Sequence, residues 1–161
     1  MNYGLKFSIH SFTRGFTLIE TIVALAVLAL LATVIASGLS SFREAAALNQ
    51  AVDETLELLR EARSKALASE GAVEYGVHFE ATRVTLFRTG LFDPVDPANI
   101  AVVLPTAVTI VSINLSTTTG NVVFERLTGE TFAAGAVTFT ASRSGATRRI
   151  EVLPSGAVLK L

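Results

Sequence analysis

The chain has 161 residues, of which 50% are hydrophobic, and it carries 13 basic against 14 acidic side chains. This length suffices for one modest domain and an additional segment. Cysteine is absent, which excludes disulfides, thiol chemistry and thiolate metal sites. A formal net charge of −1 is not the balance of a general nucleic-acid binder. With no tryptophan and only two histidines, the chain also offers few catalytic groups.

The first predicted element is an apolar helix. Residues 16–39 contain a single formal charge, that of Glu20. As an α-helix this stretch would extend about 36 Å, enough to cross a hydrocarbon core of about 30 Å. The preceding residues include Lys6, His10 and Arg14. The positive-inside rule therefore predicts that the N-terminus lies in the cytoplasm and that the chain after the apolar run lies outside it.

Glu20 needs a reason to stand in this run, because an acidic group in hydrocarbon is costly and is usually retained for a function. Cleavage between Gly15 and Phe16 would supply one. The new α-amino group of Phe16 would lie one helical turn, about 6 Å, from the Glu20 carboxylate, and the two charges would attract strongly at low dielectric. Two alternatives remain open: an ordinary secretory signal cut around Ala36, and a plain membrane anchor.

The motif GFTLIE, residues 15–20, resembles the class III signal of type IV pilins and type II secretion pseudopilins. The resemblance implies that a prepilin peptidase, a membrane aspartyl protease, cuts after Gly15 and N-methylates Phe16. It also implies that Glu20 recruits the subunit into a helical filament. The further partners implied are other pilin-like subunits, an inner-membrane assembly platform and, before assembly, membrane lipid.

The next predicted element is an amphipathic continuation of the helix to about Ser69, with a stop near Gly71. Its apolar positions fall near helical spacing: Phe42, Ala45, Val52, Leu56, Leu59, Ala62 and Ala66. Between the two halves, Ser37 and Gly38 weaken the helix by up to about 1 kcal/mol for the glycine. Whether the helix melts there on assembly remains open.

Eight segments with strand patterns follow, separated by Gly, Pro, Asn and Ser. They are VEYGVHFE, RVTLFR, IAVVLP, AVTIVSINL, NVVFERL, AVTFTAS, RRIEVL and AVLKL. The predicted fold is α+β and pilin-like, with a long N-terminal helix packed on a C-terminal antiparallel β-sandwich or curled sheet. The predicted parts are a removable leader (1–15), a transmembrane and assembly helix (16–39), an amphipathic helix (40–71) and a β-rich head (72–161).

The head also resembles one branch of this family, the GspH/FimT-type minor pseudopilins. The resemblance rests on VVFERLTGETF, AVTFTAS and RRIEVLPSGAVLKL, and on EARSKALASEG at the predicted helix end. In that branch a Phe-x-x-x-x-Gly turn, here Phe124 and Gly129, precedes a closing hairpin whose glycine is Gly156. The implied function is a structural subunit of a type II secretion pseudopilus or type IV pilus, without enzymatic activity or a cofactor.

Basic residues near the C-terminus suggest an alternative function. They are Arg143, Arg148, Arg149 and Lys160. Some pilins of this branch bind DNA during uptake, so the alternative is a DNA- or substrate-binding minor pilin at the fibre tip. Against it, removal of residues 1–15 would leave 11 basic and 14 acidic side chains, and Glu151 stands among the arginines. A solvated face is the favoured interpretation.

Two smaller sets of residues suggest metal or acid–base chemistry only weakly. Asp93 and Asp96 in LFDPVDPAN resemble half of a calcium loop, and major pseudopilins bind calcium, but the ordered oxygen series is missing, which favours Asp-Pro turns. His78, beside Glu74 and Glu80, is predicted to be exposed on the polar face of its strand. The sequence contains no Ser-His-Asp set, glycine-rich phosphate loop or metal-spaced cluster.

Overall fold

The computed structural model describes residues 15–161, without the side chains of residues 36 and 37. Its first element is the 50-residue helix α1, Leu18–Leu67. The chain divides into two compact units, Met1–Leu39 and Ser40–Leu161. The predicted long N-terminal helix is confirmed, and it includes Gly38.

In the first unit, the helix exposes its apolar side chains. Every described side chain from residue 15 to residue 35 is exposed. An 18-residue window of α1 has a mean hydropathy of 2.7 with none of its residues buried. By length and composition, this part of the helix is therefore sufficient to cross a membrane.

In the second unit, the rest of α1 has one buried face. Most of its buried apolar residues recur at intervals of three and four; they are Leu48, Ala51, Val52, Leu56, Leu58, Leu59, Ala62 and Ala66. The predicted apolar face extended too far toward the N-terminus, because Phe42 is 72% exposed and Ala45 is also exposed. The helix ends two residues before the predicted Ser69, which has a left-handed φ of 52° and precedes a short 3-10 helix, Glu70–Ala72.

The eight predicted strands are all present. They are β1 (Tyr75–Phe79), β2 (Arg83–Arg88), β3 (Ile100–Val103), β4 (Val108–Leu115), β5 (Asn121–Phe124), β6 (Gly135–Ala141), β7 (Thr147–Val152) and β8 (Val158–Lys160). They form two four-stranded sheets, ordered β3-β2-β1-β5 and β4-β6-β7-β8. All neighbouring strands are antiparallel. The α+β, pilin-like fold predicted from the sequence is confirmed.

The core lies where the inner faces of the sheets meet α1. The predicted alternation in β1 is correct, since Tyr75, Val77 and Phe79 are all buried. They belong to one cluster that also contains residues of the helix and of the second sheet. Burial of this many side chains supplies the main stabilisation of the unit.

The first sheet also buries side chains on its outer face. Phe87 of β2 lies there and is 1% exposed, because Phe92 from the β2–β3 loop packs edge-on against it at 5.5 Å between ring centroids. Gly76 in β1 makes room for the Phe87 ring, since a Cβ there would lie 2.6 Å from Phe87 Cζ. The β2–β3 loop therefore folds back over the outer face of its own sheet.

Candidate functional site

The helix begins with a capping arrangement at the start of the apolar run. The Glu20 backbone N–H donates to Thr17 Oγ1 at 3.3 Å, and Thr21 Oγ1 donates to the Thr17 carbonyl at 3.2 Å. Leu18 is the first helical residue, so Thr17 is the N-cap and Glu20 the third helical residue. This T-x-x-E spacing is that of a capping box, a signal for a helix start that is present in the sequence itself.

The position of Glu20 in the first turn of α1 also suits its charge. The exposed N–H groups of a helix start carry partial positive charge, which favours an acid there. The side chain is exposed and no described basic group pairs with it. The structure thus gives Glu20 a favourable place in the first turn of α1, and its carboxylate stays available for an external amine.

The predicted processing site lies at the beginning of the described chain. Gly15 and Phe16 are both exposed, and they precede the helix without belonging to it. A candidate scissile bond that is exposed and lies outside the helix is accessible to a protease. Lys6, His10 and Arg14 of the predicted leader lie outside the described residues.

Glu44 anchors a turn of the head to the helix, a contact that the sequence pattern did not predict. This α1 residue is 8% exposed, and its carboxylate accepts two backbone hydrogen bonds from the β6–β7 turn. They come from Arg143 N–H at 2.7 Å and Ser144 N–H at 3.0 Å. The Arg143 N–H is the main reason that the pKa of Glu44 lies below its ordinary value of 4.5; burial opposes it, and Ser144 adds to the lowering.

A Glu44→Gln variant is expected to be less stable at neutral pH, because a neutral amide oxygen replaces the charged acceptor of the two turn N–H groups. The pKa is lowered on folding, so the carboxylate stabilises the fold above pH 4.5 and loses that effect as the pH falls through the lowered value. The stability gap between wild type and variant should therefore shrink in acid. Urea unfolding of the full chain in detergent at several pH values measures it.

Glu57→Gln is the matched control for this experiment, since Glu57 is exposed on the same helix. It should change stability little at any pH. The anchoring role of Glu44 would be contradicted if Glu44→Gln lowered the free energy of unfolding no more than Glu57→Gln does. It would also be contradicted if the loss caused by Glu44→Gln stayed constant in acid.

The four basic residues of the predicted patch do not share a surface. Arg148 Nε donates to Asn49 Oδ1 at 3.3 Å, and Lys160 Nζ lies 2.7 Å from Asp53 Oδ1, so both side chains contact α1. Arg149 follows Arg148 in β7 and therefore points to the opposite face of the sheet. Arg143 lies in the turn that Glu44 holds. The geometry does not favour a continuous DNA-binding surface.

Asp93 and Asp96 each close a turn. Asp93 Oδ1 accepts the Val95 N–H at 3.0 Å, and Asp96 Oδ1 accepts the Ala98 N–H at 2.8 Å. Asp96 Oδ2 also lies 3.6 Å from Arg88 Nε. These are the Asx turns that the favoured interpretation predicted. Within residues 15–161, no group of three or more His, Asp or Glu side chains is placed to hold a metal ion.

The prediction that His78 is solvent-exposed was wrong. Its side chain is 17% exposed and stacks on Phe92 at 3.9 Å between ring centroids. Its Nδ1 forms a hydrogen bond with Asn121 Oδ1, and its Nε2 lies 3.9 Å from Glu80 Oε1. The physical reason is the β2–β3 loop, which covers this face and which the alternation of a single strand cannot reveal.

The two glycines of the GspH/FimT-type motif, Gly129 and Gly156, lie close together in the head. Gly129 and Gly156 have left-handed φ angles of 63° and 74°. Arg63 of α1 joins their turns, since its Nε donates to the Gly129 carbonyl at 3.2 Å and its Nη2 to the Ser155 carbonyl at 3.0 Å. A Cβ on Gly129 would also lie 2.8 Å from Leu67 Cγ. Three of the four segments that carry the resemblance therefore pack together at one junction.

Two family models match the chain. The model of the prokaryotic N-terminal methylation motif matches residues 11–36, and that of the type II transport protein GspH matches residues 51–156. The second match covers more than half of the chain and includes the junction of Arg63, Gly129 and Gly156. No curated protein and no solved structure matched in the other two comparisons.

Proposed function

The chain belongs to the GspH family of type II transport proteins, and from this premise we propose that cleavage between Gly15 and Phe16 prepares its helix for assembly with other subunits. The methylation motif and the GspH domain make it a minor pseudopilin or pilin-like subunit of a type II secretion or type IV pilus system. GspH is a structural family, and we propose that this member has no enzymatic activity.

One observation carries the proposal. The GFTLIE motif leads directly into a helix whose described apolar side chains, through residue 35, are all exposed. Such a surface is unfavourable in water, and it becomes favourable in lipid or against other helices of the same kind. A subunit that is stored in the membrane and then transferred to a filament uses both environments.

The proposed role of Glu20 follows from its place beside the cleavage site. Cleavage after Gly15 would create an α-amino group at Phe16, about one helical turn from the Glu20 carboxylate. In an apolar bundle an amine and a carboxylate attract each other far more strongly than in water. The amine can come from the same chain or from a neighbouring subunit, and the pairing would fix the register of one helix against another.

We place the leader in the cytoplasm and the head outside it. Lys6 and Arg14 precede the apolar run, and basic residues of this kind are retained on the cytoplasmic side. The proposed partners are prepilin peptidase, other subunits, the inner-membrane assembly platform and lipid. The proposed parts are a leader (1–15), an assembly helix (16–39), an amphipathic helix (40–71) and a head (72–161).

Mass spectrometry of the mature protein, purified from membranes, tests the proposal. We expect a chain that begins at Phe16 and carries one N-methyl group. A Gly15→Val variant is expected to accumulate at full length, because the branched side chain blocks the residue before the cut. In contrast, Gly38→Ala should be processed normally, since a Cβ at that helical position meets no atom within 4 Å.

Recovery of a mature chain that begins after Ala36 would show an ordinary secretory signal instead. Recovery of the unprocessed chain from cells that contain an active prepilin peptidase would leave only a membrane anchor. Either result would overturn the proposed processing.

A further inference from the structure

The outer face of the first sheet carries a groove that no contact described so far uses. Its lining includes Val123 of β5 and two strongly exposed apolar side chains. Leu91 of the β2–β3 loop is 77% exposed, and Phe132 of the β5–β6 connection is 83% exposed. Large exposed apolar side chains that line one groove are typical of a docking surface.

Two carboxylates stand at one end of this groove. Tyr75 pairs with Phe124 in the sheet, so the preceding Glu74 and the following Glu125 are opposite each other. Like charges at opposite positions destabilise a sheet. In the described part of the chain neither residue forms an ion pair. A cation between them would remove the repulsion, so the groove suits a basic side chain that has apolar neighbours.

The outer face of the second sheet presents such a group. Arg149 in β7 is bound through its backbone to Leu161, with N–H donation in both directions at 3.2 and 2.8 Å. Leu161 and Leu159 are 61% and 46% exposed on the same face. The Arg149 guanidinium has no hydrogen bond or ion pair among the described residues. We call Arg149, Leu159 and Leu161 the Arg149 ridge.

A neighbouring acid does not contradict this complementarity. Glu151 stands on the ridge two residues beyond Arg149, where it pairs with Leu159. The end of the groove away from its two carboxylates carries Thr119 and Asn121, which are uncharged and can donate hydrogen bonds. The groove therefore offers two carboxylates, exposed apolar side chains and uncharged hydrogen-bond donors, and the ridge offers a guanidinium and two leucines beside a carboxylate that can accept hydrogen bonds.

We propose that the groove binds the Arg149 ridge of a second copy of this chain. The two surfaces lie on different sheets of the head, so the contact is heterologous: the groove of one copy joins the ridge of the next. Contacts of this type produce rings or open helical filaments. The inference rests on the filament function proposed above, and it adds a contact between heads to the contact between N-terminal helices.

Cross-linking of the full chain in detergent tests this contact, and the absence of native cysteine makes single substitutions informative. Thr119→Cys places a thiol at the end of the groove away from its two carboxylates, and Glu151→Cys places one on the ridge face two residues beyond Arg149. Under mild oxidation, the mixture of the two variants should form a disulfide-linked dimer at least tenfold faster than either variant mixed with Glu57→Cys, on the exposed face of α1. Equal rates for all mixtures would overturn the contact.

Charge reversal provides the second readout. Glu125→Arg in the Thr119→Cys chain, or Arg149→Glu in the Glu151→Cys chain, should slow the cross-link at least tenfold. Both together should restore it, because the attracting charges are exchanged between groove and ridge. Failure of the double exchange to restore the rate would refute the proposed pairing even if each single change slows the reaction.

This outcome is separable from that of the proposed function. A chain that is cut and methylated at Phe16 but does not cross-link would overturn the head contact alone. A chain that cross-links through its heads but is never cut at Gly15 would overturn the proposed processing and leave the contact intact.

Discussion

A Glu20→Gln variant is expected to insert into the membrane, be cut after Gly15 and receive the N-methyl group, yet be at least tenfold depleted from filaments. The substitution keeps the shape of the side chain and removes its charge. An amine and a carboxylate 4 Å apart attract by about 4 kcal/mol at an effective dielectric constant of 20. Loss of about 1.4 kcal/mol already gives a tenfold change in an equilibrium.

Glutamine is the informative replacement because the position of Glu20 also suits a cap of the helix start. Its backbone N–H donates to Thr17 Oγ1, and the T-x-x-E spacing makes it part of a capping box. Glutamine serves in a capping box as glutamate does, so Glu20→Gln removes the charge and keeps the cap. Thr17→Ala does the reverse, at a cost of about 1 kcal/mol in helix stability.

The measurement is the ratio of subunit in sheared filaments to subunit in the membrane. Glu20→Gln should lower this ratio strongly and Thr17→Ala only slightly. Normal incorporation of Glu20→Gln would show that the charge is not needed for assembly. Equal depletion of both variants would show that the capping box, and not an ion pair, explains the glutamate.

Local sequence patterns were sufficient to predict the architecture. Tyr75, Val77 and Phe79 alternate with smaller or polar residues, and a strand with one core face requires this period of two. The apolar residues of α1 from Leu48 to Ala66 have the helical period, so that face was also predictable. Such signals lie within a few residues of one another, which is why they can be identified without tertiary information.

Contacts between distant parts of the chain were not predictable in this way. Glu44 looked like one polar residue among others on the helix, but its partner Arg143 is 99 positions away. The burial of His78 depends on Phe92, which a loop places over the sheet. Burial of a polar side chain becomes favourable only when a partner satisfies it, and the pattern of a single element does not identify that partner.

The glycine motif lies between these two cases. Gly129 and Gly156 were recognisable as part of a family-like pattern, but the pattern did not explain why glycine is required at these two positions. The structure supplies it: a Cβ on Gly156 would lie 1.8 Å from the Gly129 carbonyl oxygen and 2.9 Å from Arg63 Nε. The closing hairpin can approach the preceding turn, and both can bind the Arg63 guanidinium, only because this position has no side chain.

Gly156→Ala is therefore expected to lower the free energy of unfolding by about 3 kcal/mol, from left-handed strain of about 1–2 kcal/mol and a backbone clash of about 1–3 kcal/mol. Gly145→Ala separates the two terms, because Gly145 has a φ of 66° and a Cβ there meets no atom within 4 Å. Gly145→Ala should lower the free energy of unfolding only by the left-handed strain of about 1–2 kcal/mol. Urea unfolding of the full chain in detergent measures both variants. Equal losses would mean that the turns separate freely and that the junction with Arg63 does not hold the head together.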